Sequence, residues 1–268
     1  MTKSIEAGPF TFHFYGAIFA LAILVGYLVA KKRSHLLGPQ SEGRGPHGTV
    51  YKVPKAIFDD PILLIPLILA IAGARAYHVI DNWSIYGQDL LSILNLSGGG
   101  LGIWGGLAGV FIGFWIVAKI KKLHFLSVLD LISPSLLLGQ AIGRFGNWVN
   151  QEAFGPPTNL PWGIYIEPQN RPTQFLSAAY FHPTFFYEAT IDLIFFLILV
   201  KLSQKFKKGG QTFAFYLILY SIGRFTVEFF RIDTATVGTI KVAQILAAAG
   251  IATGLVILKL KKTGVDPD

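Results

Sequence analysis

The 268 residues are 52% hydrophobic and only 14% charged, against about 25% charged in soluble domains, which excludes a water-soluble globule and points to a membrane-embedded chain. The net charge of +8 is gathered in clusters between apolar runs, so it reads as a topology signal and not as a nucleic-acid surface. Cysteine is absent, which removes disulfides, thiolate metal sites, a cysteine nucleophile and lipidation of this chain on a cysteine.

Only Lys3 precedes the first apolar run and the basic KKR cluster follows it, the reverse of a cleavable signal peptide. Span one is predicted over residues 12–30, with Tyr15 in FHFYGAIFA placed like an interfacial anchor. Residues 34–60 are rich in Gly and Pro and read as a basic tether. Span two, 61–80, carries Arg75. Span three, 101–118, belongs to SGGGLGIWGGLAGVFIG, in which Gly106, Gly109 and Gly113 suit close helix packing and Gly98 to Gly100 a flexible approach. Span four, 126–143, contains Asp130, Pro134 and Gln140. A long loop over 144–185 follows, with Pro156, Pro157, Pro161, Pro168 and Pro172 opposing regular helix and Trp162, Tyr165, Phe175 and Tyr180 suited to a membrane interface. Spans five to seven are predicted over 186–202, 212–230 and 241–258, and KLKKTGVDPD reads as a solvated tail.

Lysine and arginine fix the orientation. They cluster after span one (Lys31, Lys32, Arg33, Arg44, Lys52, Lys55), span three (Lys119, Lys121, Lys122), span five (Lys201, Lys205, Lys207, Lys208) and span seven (Lys259, Lys261, Lys262), while residues 81–100 have none. The positive-inside rule then places the N-terminus outside and the C-terminus in the cytoplasm. The expected fold is a single all-α, seven-span membrane domain over 1–268, with loop 144–185 extracytoplasmic. No fixed-period repeat supports a symmetric transporter.

Three charged groups stand near the outer ends of spans: Arg75 in AGARAYHVI, Arg144 in GRFGNWVNQE, and Arg224, Glu228 and Arg231 in GRFTVEFFR. Spacings of four and three put the last three on one helical face. A charge at the centre of a membrane helix costs about 2.5–3.5 kcal/mol on insertion scales, so such groups face a cavity or a partner. An intrahelical Arg224–Glu228 pair and a snorkelling Arg231 are the structural reading. Arginine's fork matches phosphate, which makes a lipid phosphate the functional one. His13 and His182 are each open to a role as base, phosphate donor or surface residue. A cavity of this kind can serve to move a lipid, to sense one or to cut one.

GRFGNWVNQEAFG, residues 143–155, resembles the signature of bacterial prolipoprotein diacylglyceryl transferases, G-R-x-G-N-x-x-N-x-E-x-x-G, with every fixed position present. FYGAIFALAILVGYL in span one, GAR in span two, HPTFFYE before span five and GRFTVEFFR late in span six agree in order and spacing. The resemblance covers nearly the whole chain. It implies a multi-pass protein of the bacterial plasma (inner) membrane that moves the diacylglyceryl group of phosphatidylglycerol to the lipobox cysteine of a preprolipoprotein, beside its signal peptide. A thioether forms and sn-glycerol 1-phosphate leaves, on the outer-leaflet side, with no metal or soluble cofactor. By the same resemblance Arg144, Asn147, Asn150, Gly155, Arg224, Arg231, Glu228 and His182 bind phosphatidylglycerol, Glu152 completes the signature, Tyr15 and Arg224 are essential, and Glu228 and Arg231 support Arg224. Arg144, Arg224, Tyr15, Asn147 and Glu152 are the expected catalytic set, with Glu152 placed either to take a proton or to orient Arg144.

Two positions depart from some family members. Trp104 in IWGGL stands where they carry a histidine proposed as base, and Phe185 stands for a glutamine in the HPxxxYE segment. The rival reading is a lipid or anion transporter, or a lipid-binding protein, using the same arginines. The lysine-rich cytoplasmic ends disfavour transport, which needs access from both sides.

Overall fold

The computed structural model describes residues 4–7, 10–36, 43–44, 50–51, 57–95, 99–206, 208–232 and 234–263. Among the described residues eight α-helices run in order: α1 (Phe14–Leu36), α2 (Leu64–Asp81), the single turn α3 (Trp83–Tyr86), α4 (Ile103–Ile120), α5 (Phe125–Asn150), α6 (Thr184–Ser203), α7 (Gln211–Glu228) and α8 (Val242–Thr263). The chain is mostly helical, but not purely so. Four two-stranded antiparallel hairpins join it, pairing Ser4–Ala7 with Phe10–His13, Gly43–Arg44 with Val50–Tyr51, Ile164–Tyr165 with Tyr180–Phe181, and Thr236–Val237 with Ile240–Lys241.

Among the described residues, five segments are long and apolar enough to cross a membrane: Phe14–His35, Pro61–Asp81, Ile103–Ile120, Phe125–Asn150 and Val242–Lys261. Helices α6 and α7 match them in length and lie where spans five and six are expected. They fall short in apolar character because α6 carries Glu188, Asp192 and Lys201, and α7 carries Arg224 and Glu228. Large apolar side chains cover the outside, among them Phe19, Leu24, Ile68, Ile80 and Leu107. Such a surface is a liability in water and a requirement in lipid.

Helix α5 is the most buried span. It packs on α1, α6 and α7, α6 packs on α7, and α8 lies on α7. Asp130, an oddity in an apolar run, is explained by α7. That helix begins at Gly210, which has φ +94° and no side chain to cap it. Asp130 reaches across from α5 and accepts hydrogen bonds from the Gly210 and Phe213 amides at 2.6 and 2.7 Å. The orphan donors of a buried helix start are thereby satisfied from a neighbouring helix.

Helices α2 and α4 form the other unit, packed backbone to backbone. A Cβ built on Gly105 would stand 2.1 Å from the Gly73 carbonyl oxygen, one on Gly109 1.9 Å from the Leu69 oxygen, and one on Gly113 2.3 Å from the Pro66 Cα. The stripe is Gly105, Gly109 and Gly113 at four-residue spacing, where Gly106 had been expected. Gly106 is turned about 100° away and would make only an ordinary 3.4 Å contact with Ala74. At the lysine-rich end, Ile57, Phe58, Val117, Leu129, Leu131 and Ile132 form a core that joins this pair to α1 and α5. Hydrogen bonds from Lys31 and Lys121 hold the carboxyls of Asp59 and Asp60, just before α2, below the usual carboxylate range.

Arg75 does not line a phosphate cavity. Its Nε donates to the Ile93 carbonyl at 2.8 Å, Nη1 to Gly99 and Gly100 at 2.9 and 3.1 Å, and Nη2 to Ser92 and Asn95 at 2.7 and 2.9 Å. The guanidinium has five N–H donors, and all are engaged. Tyr86 lies 4.9 Å beneath it. The glycine approach to α4, expected to be flexible, is pinned instead. Gly99 and Gly100 adopt φ +82° and +80°, turning their carbonyls to one guanidinium as only glycine does freely. Gly98 lies outside the described residues. Arg75→Lys, which keeps the charge and loses the fork, is expected to raise the protease sensitivity of residues 88–102 in detergent by about tenfold, from losses of roughly 1.5–3 kcal/mol per charged hydrogen bond. Unchanged cleavage would assign the loop's order to other contacts.

Candidate active site

Helix α5 extends through Asn150, so Arg144, Asn147 and Asn150 stand on its last turns and not in a loop beginning at residue 144. Their spacing of three keeps them near one face. Gly146, between them, is where α1 arrives: a Cβ there would lie 2.8 Å from the Tyr15 ring. This contact seats Tyr15 against the last turns of α5.

The helix ends in strain. Gln151 and Ala153 take φ +54° and +55°, a region that residues with a Cβ rarely occupy and that tends to mark functional segments. Hydrogen bonds hold both. The buried Gln151 Oε1 accepts from the Glu167 amide and from Asn170 Nδ2, each at 2.9 Å. The Ala153 carbonyl accepts from Thr184 Oγ1 at 2.6 Å. Between them Glu152 is turned back, so that its Oε1 accepts from Asn147 Nδ2 at 2.9 Å and Asn150 Nδ2 at 3.3 Å. Glu152 therefore orients two asparagines, and of its two expected roles the pairing with Arg144 is not made.

Gly155 closes the signature where three segments meet. An added Cβ would stand 2.6 Å from the Phe230 carbonyl oxygen and 2.9 Å from both His182 Cβ and Thr184 Cγ2. Its glycine is required by this close approach. The Gly155 amide donates to the His182 carbonyl, and the His182 amide to that of Pro156, which sets His182 at the start of α6. Tyr187 links outward: Trp162 Nε1 donates to its hydroxyl at 2.9 Å, and that hydroxyl lies 3.1 Å from His182 Nδ1. Tyr187 therefore joins Trp162 to His182 through one hydroxyl. The side chain of His13 lies outside the described residues.

The centre of the site is a carboxylate that was quoted in HPTFFYE without a role. Glu188, on α6, accepts an ion-paired hydrogen bond on Oε1 from Arg144 Nη2 of α5, and Arg224 Nη1 of α7 stands 3.5 Å from its Oε2. Arg224 Nη2 also lies 2.7 Å from Glu228 Oε2, the intrahelical pair foreseen from the spacing. That second contact is close but poorly directed, and neither Glu228 oxygen receives a well-aligned hydrogen bond. Glu188 and Glu228 are almost fully buried, at 2% and 0% exposure, while the arginines keep 19% and 18%. An incoming anion can therefore reach the guanidinium groups and not the carboxylates.

Arg231 does not share the helical face of Arg224 and Glu228, because α7 ends at Glu228. Its backbone belongs to the cap: Lys241 Nζ donates to the carbonyls of Glu228 and Arg231 at 2.5 and 2.7 Å. A cation there complements the helix's negative end. Lys241, Glu188 and Asp192 are the residues that the sequence reading missed. The four-residue step from Glu188 to Asp192 on a membrane helix was the available signal. Trp104 lies on the first turn of α4 and is exposed.

The pattern of the prolipoprotein diacylglyceryl transferase family matches residues 3–260. A protein of Nostoc sp. named phosphatidylglycerol–prolipoprotein diacylglyceryl transferase is 38% identical over 262 residues, covering 94% of this chain and 86% of its own. Proteins with the same name are 39% identical over 256 residues in Finegoldia magna, covering 95% and 93%, and 35% identical over 263 residues in Thermotoga maritima, covering 97% and 84%.

Proposed function

The chain belongs to the prolipoprotein diacylglyceryl transferase family and is a membrane-embedded transferase; from that premise we propose that it moves the diacylglyceryl group of phosphatidylglycerol to the lipobox cysteine of a preprolipoprotein. One observation carries the reading. Arginines from two different helices converge on opposite oxygens of one buried carboxylate, Glu188, a geometry that also suits two oxygens of a phosphodiester. In the resting site Glu188 occupies the place of that anion.

The lipid phosphate approaches the exposed edges of Arg144 and Arg224 and takes over the place that Glu188 holds at rest. The lipobox thiol loses its proton, and sulfur attacks the glycerol carbon that bears the phosphate. The S–C bond forms as the C–O bond breaks, and the electron pair leaves on the phosphate oxygen of sn-glycerol 1-phosphate. Two preorganised guanidinium groups stabilise the growing negative charge, usually the largest catalytic contribution. Asn147, Asn150 and Glu152, held by the strained turn, and Tyr15, against Gly146, position the headgroup. His182 borders the headgroup, and Arg231 with Glu228 closes the far side.

In this reading all seven long helices span the bacterial inner membrane, the N-terminus lies outside, and the site faces the outer leaflet and the signal peptide. The observation supporting that orientation is the separation of the lysine clusters from the arginine site. The test is purified protein in detergent with phosphatidylglycerol and a lipobox peptide, following glycerol phosphate release and peptide mass. A diacylglyceryl mass gain that disappears when the peptide's cysteine becomes serine is the expected result. Bound lipid with no mass gain would move the protein to the transporter or lipid-binding reading.

A further inference from the structure

Helix α5 ends on a residue that does not suit its backbone. Gln151 takes φ +54° and ψ +52° there. Its amide donates to the Trp148 carbonyl at 3.1 Å, and the Glu152 amide donates to the Asn147 carbonyl at 2.9 Å. These are the paired bonds of a Schellman ending, in which glycine is the usual left-handed residue. No glycine stands between Gly146 and Gly155. The sequence keeps a side chain at this position in spite of the strain.

That side chain is buried and ties two segments together. Its Oε1 accepts from the Glu167 amide and from Asn170 Nδ2, 16 and 19 residues further on. Glu167 opens the short 3₁₀ turn Pro168–Asn170, and its own carboxylate does not cap that turn. Beside it Ile166 is sunk in a core with Phe154 and Phe181. Gln151 thus fastens the end of α5 to the packed part of the outer loop.

The left-handed residue also decides where Glu152 points. In a continued helix each residue turns by about 100°. Glu152 would then stand two positions from Asn150 and five from Asn147, spacings at which side chains do not share a face. The reversal at Gln151 instead folds Glu152 back, so that its Oε1 accepts from both asparagines.

We propose that Gln151 is a positioning residue for the lipid headgroup: its clamp on residues 167–170 holds the left-handed turn, and the turn holds Glu152 against Asn147 and Asn150. The proposal rests on the reading above, in which those three side chains position phosphatidylglycerol. Gln151 acts only through them.

The experiment compares three variants. Gln151→Met keeps the length and the strain and loses the acceptor. Gln151→Gly loses the acceptor and relieves the strain. Asn170→Ala removes one donor from the other side of the clamp. Kd for phosphatidylglycerol in detergent, KM, kcat and the melting temperature are measured for each. Kd and KM are expected to rise by about tenfold in both Gln151 variants. kcat should stay within about twofold, the pattern of binding lost equally from ground and transition states. Gln151→Gly should melt above Gln151→Met, because glycine adopts φ +54° freely, so affinity and stability separate. Asn170→Ala should weaken binding by about threefold and add nothing to Gln151→Met, as for two residues acting through one contact. Wild-type Kd in Gln151→Met overturns the proposal. So does a Kd that follows the melting temperature, weakened in Gln151→Met and restored in Gln151→Gly, which assigns Gln151 to the stability of the turn alone. Effects of Gln151→Met and Asn170→Ala that multiply overturn it too, because the two side chains then act separately. A wild-type protein that binds the lipid and transfers nothing is a different result: it removes the transferase reading, while the Kd values still decide the clamp.

Discussion

Replacing Arg144 with alanine is expected to lower kcat/KM for diacylglyceryl transfer by about 10³-fold or more. Removal of one preorganised donor to a developing anion costs about 10²–10³ in rate, and this donor has a second task. It is the near partner of Glu188, whose other arginine stands 3.5 Å away. Breaking a buried ion pair from one side costs about 3–5 kcal/mol, mostly for the charge left behind. Arg144→Ala should therefore lose both rate and thermal stability. Removing Glu188 as well, in Arg144→Ala/Glu188→Ala, should return much of the stability and none of the rate. Arg144→Lys restores a charge but not the fork, so it should recover stability better than turnover. Turnover near wild type in Arg144→Ala would place the lipid phosphate elsewhere.

The second large effect concerns the helix pair that makes no contact with the reacting atoms. Gly109→Ala is expected to lower the melting temperature in detergent by several degrees, with Gly106→Ala near wild type. At Gly109 the new methyl would meet the Leu69 carbonyl oxygen at 1.9 Å, and backbone cannot swing aside as a side chain can. The α2 and α4 axes must separate, and overpacking of this kind costs about 1–3 kcal/mol. At Gly106 the same methyl would rest 3.4 Å from the Ala74 Cβ, an ordinary contact. Equal melting temperatures for the two variants would mean that the close approach of α2 and α4 adds nothing to stability. Water-driven apolar burial cannot compensate between helices in lipid, where association depends on packing.

The long helices and the signature were legible because both are local. Apolar runs and lysine clusters mark α1, α2, α4, α5 and α8 without reference to the rest of the fold, and the spacing of Arg224 and Glu228 forecasts their contact. What escaped was decided by contacts between distant segments. Arg75 and Arg144 look alike in sequence, each an arginine near the outer end of a span. The difference is that carbonyls up to 25 residues away take every donor of Arg75, whereas Arg144 meets Glu188, 44 residues on. Gly105 and Gly106 are neighbours in sequence, and only the rotation of α4 against α2 selects between them. Arg231 was placed on a helical face by its spacing, but the helix stops three residues earlier. The role of Asp130 depended on an N-terminus 80 residues away that lacks a cap of its own.

The self-filled arginine site has a consequence for selectivity. If Arg144 and Arg224 take the lipid phosphate as proposed, Glu188 is a tethered competitor, present in every molecule and impossible to dilute. Any anion binds with its intrinsic affinity scaled by the fraction of molecules in which Glu188 has let go. That penalty falls equally on soluble phosphate and on a lipid headgroup. Only the lipid offsets it, because acyl chains contribute about 0.8 kcal/mol for each methylene they bury. On the proposed function, a carboxylate that fills the site at rest would work as a filter, closed to free phosphate and open to phosphate that arrives attached to a membrane.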